Sequence, residues 1–438
     1  MQLRIDEVEF DRGSVVDPAG KVFHYEGRVF RAIAPEFATL YQELVQSDGF
    51  DELVRAGLIE TWVSDIRVEG YDLVLEHRKI PFLSQWSEWC SAMVKDAAAM
   101  VCRLHKELSS RGLMLKDTQP GNVQFIQGKA CWIDFGSIVA AERHQPFHFS
   151  PFRYNYALPL WLISKGRRDL GRAVFCEIGQ GYLKKKYDRR RHRLAPVSYW
   201  LMGIRASSQN ISRRLARLSD WIDQLEVEPT GNDWTDYGQG GMPSVHQPEE
   251  FGEKAAAVHR LLEAVEPGTL LDMAGNKGWY AELAASMGHR VVCFDADDAS
   301  ICRLYHRLKD GDLPILPLVL DFRYPTPPFS IGLGKASAFD RLSCDTVLAL
   351  AIVHHLVFTC HLFFEPIADI IARYTRKQAI IEFVPVDDVH VRKWVTPRHR
   401  WYTLDNFLKV LSRHFVSCEV HDSSPSPRKL IVCRKASE

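Results

Sequence analysis

Fifteen residues constrain this chain more than any others: Thr269–Leu283, TLLDMAGNKGWYAEL. A short apolar run, Leu270 and Leu271, ends at Asp272. The small-residue turn Ala274–Gly275–Asn276–Lys277–Gly278 follows, and a helical run with Leu283 on its apolar side begins at once. Strand, tight turn and helix make the first βα unit of a doubly wound sheet, in which a ligand sits over the carboxyl end of the strand. Small residues in the turn allow close approach to the backbone, and the first N–H groups of the helix face the ligand. A strict G-x-G-x-x-G is absent, because Ala274 and Asn276 stand where glycines would.

The downstream chain extends this unit. Arg290–Asp295 (RVVCFD) reads as a second strand and ends in an acid 23 residues after Asp272. That is about where a βαβ unit places a carboxylate on ribose hydroxyls. Ile315–Leu320 reads as a third strand, followed by Asp321. Thr346–Ala351 follows Asp345, and Ala379–Val384 contains Glu382. Acids at the ends of successive strands are expected to gather into one site.

These segments resemble the class I S-adenosylmethionine-dependent methyltransferases over roughly residues 250–438. LDMAGNKGWY, LALAIVHHL and IIEFVPVDD resemble a bacterial subgroup that includes host-range nodulation methyltransferases. The resemblance implies an α/β Rossmann-like seven-stranded methyltransferase sheet whose last strand inserts antiparallel beside the fifth. It implies S-adenosyl-L-methionine as cofactor, with Asp272, Ala274, Gly275, Asn276 and Gly278 as its first motif. Asp295 would hold the ribose, and Asp321 with Phe322 would contact the adenine.

Methyl transfer is an in-line displacement, so the protein mainly aligns the reactants. A hydroxyl or amine acceptor also needs a base. His354 and His355 follow the fourth strand, while Glu382, Asp387, Asp388 and His390 follow or end the fifth. Either group could supply it, and an ordinary imidazole has the better pKa.

The N-terminal half carries a second motif set. Lys21–Ile33 reads as a hairpin turning at Glu26–Gly27, Pro35–Gln46 as a helix, Tyr71–Leu75 as a strand and Gln85–Ser110 as a long helix. Then comes LKDTQPGNVQFIQGKACWIDFGSIV, residues 115–139, with Asp117 and Asn122 in D-x-x-x-x-N spacing and Asp134–Phe135–Gly136 as a D-F-G. This resembles the catalytic and metal-binding loops of the protein-kinase-like fold, especially its aminoglycoside-phosphotransferase-like, small-molecule branch. The resemblance implies an N-terminal α+β kinase-like fold. In it Asp117 would accept a hydroxyl proton, while Asn122 and Asp134 would hold Mg²⁺ on the phosphates of ATP.

The set is incomplete. Leu115–Lys116 replace the family's His-Arg or His-Gly, and no glycine-rich loop precedes the hairpin. Arg31 or Lys21 must stand in for the usual lysine, with Glu36 or Glu43 as partner. The lobe is either a degenerate fold kept for docking or the kinase half of a bifunctional kinase–methyltransferase acting on a saccharide end.

Length and composition agree with two domains. The chain has 438 residues, 46% apolar and 25% charged, with formal net charge zero. Length alone gives two to three domains, and the zero charge gives no global attraction to nucleic acid or acidic membranes. Ten cysteines without a C-x-x-C pair read as reduced, mostly buried thiols of a cytoplasmic protein. The start, MQLRIDEVEFDRGS, has no apolar segment of the signal-peptide kind. Thr346–Phe364 lacks Asp, Glu, Lys and Arg, but its three histidines favour a buried strand, loop and helix over a membrane span.

The expected division is a kinase-like domain at 1–220, a linker at 221–250 and a methyltransferase domain at 251–438. The basic run Lys184–Arg193 reads as a solvated helix end, and Trp234 and Tyr237 as pinned points in the linker. The substrate is expected to be a small molecule or glycan. The methylated atom and the oligomeric state have no signature here.

Overall fold

The structure is a computed structural model, and it describes residues 1–14, 16–141, 149–177, 211–229, 242–309, 311–330 and 334–436. The basic run at 184–193, and Trp234 with Tyr237, lie outside the described residues. The chain forms two compact units. One is Met1–Glu228 with Pro328–Ala336, and the other is Pro229–Pro327 with Ser337–Glu438. The expected boundaries therefore miss one feature: a short strap inside the second sequence block belongs to the first unit. Within that unit the Phe329 ring packs edge-on against Trp86 at 5.4 Å.

The first unit is built on a four-stranded antiparallel sheet of β1 (Gly20–Tyr25), β2 (Arg28–Ile33), β3 (Thr61–Val63) and β4 (Leu73–His77), ordered β1-β2-β4-β3. Glu26 and Gly27 take φ of 47° and 72°, the left-handed pair that a two-residue hairpin requires. The α1 helix, Pro35–Gln46, starts with proline at a first-turn position, where the missing N–H costs nothing.

The long helix begins later than its apolar pattern suggests. Glu88 folds back to accept the Gln85 N–H at 2.7 Å, so a short 3₁₀ turn at Trp86–Glu88 precedes α2, Ser91–Ser109. Alanines on α2 (Ala92, Ala97, Ala98, Ala99) let it bury almost a full face. Two short hairpins follow. One pairs β5 (Leu113–Leu115) with β8 (Ile138–Ala140), and inside it β6 (Val123–Ile126) pairs β7 (Lys129–Trp132). The D-x-x-x-x-N and D-F-G loops are the connections between these strands.

The second unit contains a seven-stranded sheet. In chain order its strands are β9 (Thr269–Met273), β10 (Arg290–Asp295), β11 (Ile315–Val319), β12 (Cys344–Ala349), β13 (Thr375–Phe383), β14 (Ser417–Asp422) and β15 (Lys429–Arg434). Their order in space is β11-β10-β9-β12-β13-β15-β14. All pairings are parallel except those of β15, which lies antiparallel between β13 and β14. This is a Rossmann-like sheet with the antiparallel insertion beside the fifth strand that the resemblance implied.

Leu271 aligns with Val292 on one side and Val347 on the other, and all three are fully buried. Burial on both faces is what makes such strands continuously apolar. The charge-free stretch after residue 346 is strand β12, a loop and helix α4 (Val353–Phe358), with α3 (Glu253–Glu263) leading into β9. Among the described residues no helix is long and apolar enough to cross a membrane. All ten cysteines are free thiols, and most are buried.

Candidate functional site

The turn after β9 is fixed by geometry that small residues alone permit. Ala274, Asn276 and Gly278 take φ of 53°, 50° and 79°. Gly275 is held by its N–H on the Phe294 carbonyl at 3.1 Å, and a Cβ there would lie 2.5 Å from Asp272 Oδ2 and 2.6 Å from Cys293 Sγ. The sequence therefore keeps a glycine where the turn crosses the end of the sheet, while alanine and asparagine accept left-handed backbone beside it. Asparagine tolerates that region better than most residues, whereas alanine there carries local strain.

Asp295 is tied to this turn. Its Oδ2 accepts the Asn276 N–H at 2.9 Å, and its Oδ1 accepts the Asp297 N–H at 2.9 Å. Each oxygen keeps a second acceptor position for a ligand hydroxyl. Asp297 caps the next turn through the Ser300 N–H and hydroxyl, at 2.9 and 2.7 Å. Ser300 also donates to Asn276 Oδ1 at 3.3 Å, which links the two loops.

Asp272 is buried beneath the turn. Burial, then the charge of Asp295, pushes its carboxyl up to about 7, although Lys254 pulls the other way. Asp295 is also shifted upward, first by burial. Asp321, on the neighbouring strand end, is different. Burial would raise it, but Arg323 donates at 3.0 and 2.6 Å and holds it below the ordinary carboxylate range. Phe322 is buried beside it. Asp272, Asp295 and Asp321 thus lie at or just past the carboxyl ends of three adjacent strands, as expected. Asp345 does not join them. It accepts from Thr269 N and Oγ1 at 3.0 and 2.8 Å, at the amino end of the sheet, where it joins β12 to β9.

A second cluster occupies the carboxyl ends of β12 and β13. His354 and His355 sit on α4 with ring centroids 4.1 Å apart, and Trp394 lies 6.2 and 5.4 Å from them. Neither ring keeps the ordinary imidazole pKa. Burial first, then His355 and Arg428, pushes His354 down to about 3, and burial pushes His355 down to about 4. Both rings are neutral at neutral pH, and both are weak bases. The buried Nδ1 of His354 has no hydrogen-bond partner.

Glu382 is fully buried and pairs with Lys254 Nζ at 2.5 Å. Arg428 donates to Asp388 at 2.8 Å and lies 3.9 Å from Glu382. Asp387 and His390 are exposed. Sequence reasoning missed Lys254 and Arg428, which neutralise two buried acids. Their partners lie 128 and 40 positions away, beyond any local spacing rule.

In the first unit, Asn122 and Asp134 are brought together, Asn122 Nδ2 donating to Asp134 Oδ2 at 3.2 Å. Asp117 accepts the Gln119 N–H at 3.1 Å. Arg31 does stand on β2, but neither Glu36 nor Glu43 is its partner. Its Nη1 meets Asp17 Oδ2 at 2.5 Å and lies 3.8 Å from Asp134 Oδ1. Lys21 is engaged elsewhere, donating to the carbonyls of Ser14 and Asp17 at 3.2 and 2.8 Å.

No family model matches the chain. Over 422 residues it is 27% identical to Nodulation protein NoeA of Rhizobium meliloti (strain 1021), covering 88% of this chain and 87% of that one. Among solved structures it is similar to the bifunctional kinase-methyltransferase WbdD at 16% identity and a TM-score of 0.28, with 41% of this chain and 37% of that one covered. It is also similar to a Haemonchus contortus phosphoethanolamine N-methyltransferase 2 bound to S-adenosyl-L-methionine, at 14% identity and a TM-score of 0.33, covering 48% of this chain and 61% of that one. The chain spans about two fifths of the WbdD chains it matches.

Proposed function

We propose that the second unit is an S-adenosylmethionine-dependent methyltransferase acting on a small molecule or glycan, and that the first unit is a kinase-like docking lobe without phosphoryl transfer. The observation that carries the first half is Asp295. Its carboxylate is pinned by two backbone N–H groups at the carboxyl end of β10, with acceptor capacity left for a pair of ribose hydroxyls. Beside it, Gly275 lets the turn lie directly on the buried Asp272 and Cys293, where a Cβ would come within 2.5 and 2.6 Å of their side chains. These residues fit the donor: Ala274 to Gly278 form the cradle, Asp295 holds the sugar, and Asp321 with Phe322 flank the base.

When bound, the donor supplies an electrophilic methyl group. The chain supplies placement and a proton acceptor. Neutral His354 and His355 stand at the acceptor edge, and either accepts a hydrogen bond from a hydroxyl or amine in the protonation state that prevails at neutral pH. Their lowered basicity favours orienting the nucleophile over removing its proton early. Thermal unfolding of the full chain with S-adenosylhomocysteine tests the reading: stabilisation is expected, and its absence at millimolar ligand contradicts it.

A second reading, a bifunctional kinase–methyltransferase, draws on the Asn122–Asp134 contact. The first unit does not fit a magnesium-bound ATP as it stands, because Arg31 is committed to Asp17. Asp117 therefore has no phosphoryl-transfer role in the reading proposed here.

A further inference from the structure

Arg31 is nearly inaccessible, with 7% of its side chain exposed. A guanidinium carries five N–H donors. Here Nη1 takes Asp17 at contact distance and Asp134 only at 3.8 Å, while the buried Nε has no partner. A buried cation with unfilled donors is an anion site, and its present anion is a side chain of the same chain.

Asp17 is seated there by three separate features. Its Oδ1 accepts the Ala19 N–H at 3.0 Å, which fixes the carboxylate's rotation. Lys21 grips the loop through the Ser14 and Asp17 carbonyls. From the opposite side Gly136 makes room, since a Cβ at that position would lie 2.1 Å from Asp17 Oδ2. The loop leading into β1 thus lowers an acid onto the arginine, between Arg31 and the D-F-G glycine.

We infer that Asp17 is a built-in occupant of an anion site formed by Arg31, and that it keeps this lobe closed to polyphosphate ligands. Removing the carboxylate leaves a buried cation without its contact partner, the arrangement with most to gain from an incoming anion. A carboxylate and a phosphate compete for the same fork of donors. The inference deepens the reading of the first unit as a non-transferring lobe, and it is independent of donor binding by the second.

The test uses the full chain and thermal unfolding, with inorganic tripolyphosphate and with ATP plus Mg²⁺ as separate probes. The wild type is expected to show no shift with either. Asp17→Asn and Asp17→Ala are expected to gain a rise of about 5 °C with tripolyphosphate at a hundredfold excess over Kd. Adding Arg31→Met to either variant should remove the gain. Should Asp17→Ala fail to fold, Asp17→Asn keeps the shape of the side chain, and Gly136→Ala pushes the carboxylate off the arginine without deleting it. A shift in the wild type, or none in any folded variant, overturns the inference. A response to tripolyphosphate but not to ATP with Mg²⁺ upholds the anion site and contradicts only the nucleotide-binding likeness. S-adenosylhomocysteine binding by the same variants should be unchanged, so failure here is separable from failure of the donor-binding reading.

Discussion

His354 shows how far burial, with His355 and Arg428 beside it, can move a functional candidate. Its folded-state pKa, about 3, lies well below the ordinary 6.5. The unfolded chain takes up a proton below about 6.5 that the folded protein refuses until far lower pH. Stability is therefore lost as pH falls through this window, at up to about 1.4 kcal/mol per pH unit from this residue. Denaturant titrations between pH 6.5 and 4.5 should show that His354→Gln flattens the pH dependence by roughly that slope. An unchanged slope would mean that the ring is open to solvent.

Asp272 acts in the opposite direction. Its carboxyl is raised to about 7, so the folded state binds the extra proton and loses stability as pH climbs from about 4 towards 7. Neither shift was legible in the sequence. The two histidines and the acid could be named from their places after apolar runs, but their environments are set by Trp394, Arg428 and Lys254, which come from distant segments.

The turn between β9 and the helix that follows it, Trp279–Ser286, was the most legible element. Its strand, its small residues and the acid of the next strand can all be read from one linear stretch. What could not be read is which small residue matters most. Gly275 has no room for a Cβ, while Ala274 and Asn276 carry positive φ in place of glycines. Gly275→Ala forces a methyl against a buried carboxylate and a buried thiol, an overpacking cost of roughly 1–3 kcal/mol. It should lower the melting temperature of the second unit by several degrees. Gly252→Ala, with nothing within 4 Å of the added Cβ, should not. Equal effects would show that the turn relaxes freely. In the first unit the hairpin and the two motif loops were equally plain, but the partner of Arg31 was not. The kinase-like resemblance pointed to Glu36 or Glu43, whereas a loop acid preceding the hairpin took the contact.

At the scale of the molecule, strand–helix alternation was legible in the second half, while the α+β class expected of the first half came from the kinase-like resemblance. The strap at 328–336 was invisible, because nothing local marks a loop whose Phe329 packs on a ring 243 positions earlier. The second sheet has its own buried core, from Val258 and Leu270 to Leu430 and Val432. A fragment spanning 242–438 should therefore fold alone with a cooperative transition. Insolubility or a non-cooperative melt would mean that the two units share a core.

Donor binding at Asp295 carries the whole functional account, and calorimetric titration of S-adenosylhomocysteine measures it directly. The wild-type chain should bind. Asp295→Ala, folded to the same melting temperature within a few degrees, loses two hydrogen bonds to a charged acceptor, worth roughly 1.5–3 kcal/mol each. Its affinity should fall by about two to four orders of magnitude. Equal affinity in wild type and variant, or no binding by the wild type, would contradict the account.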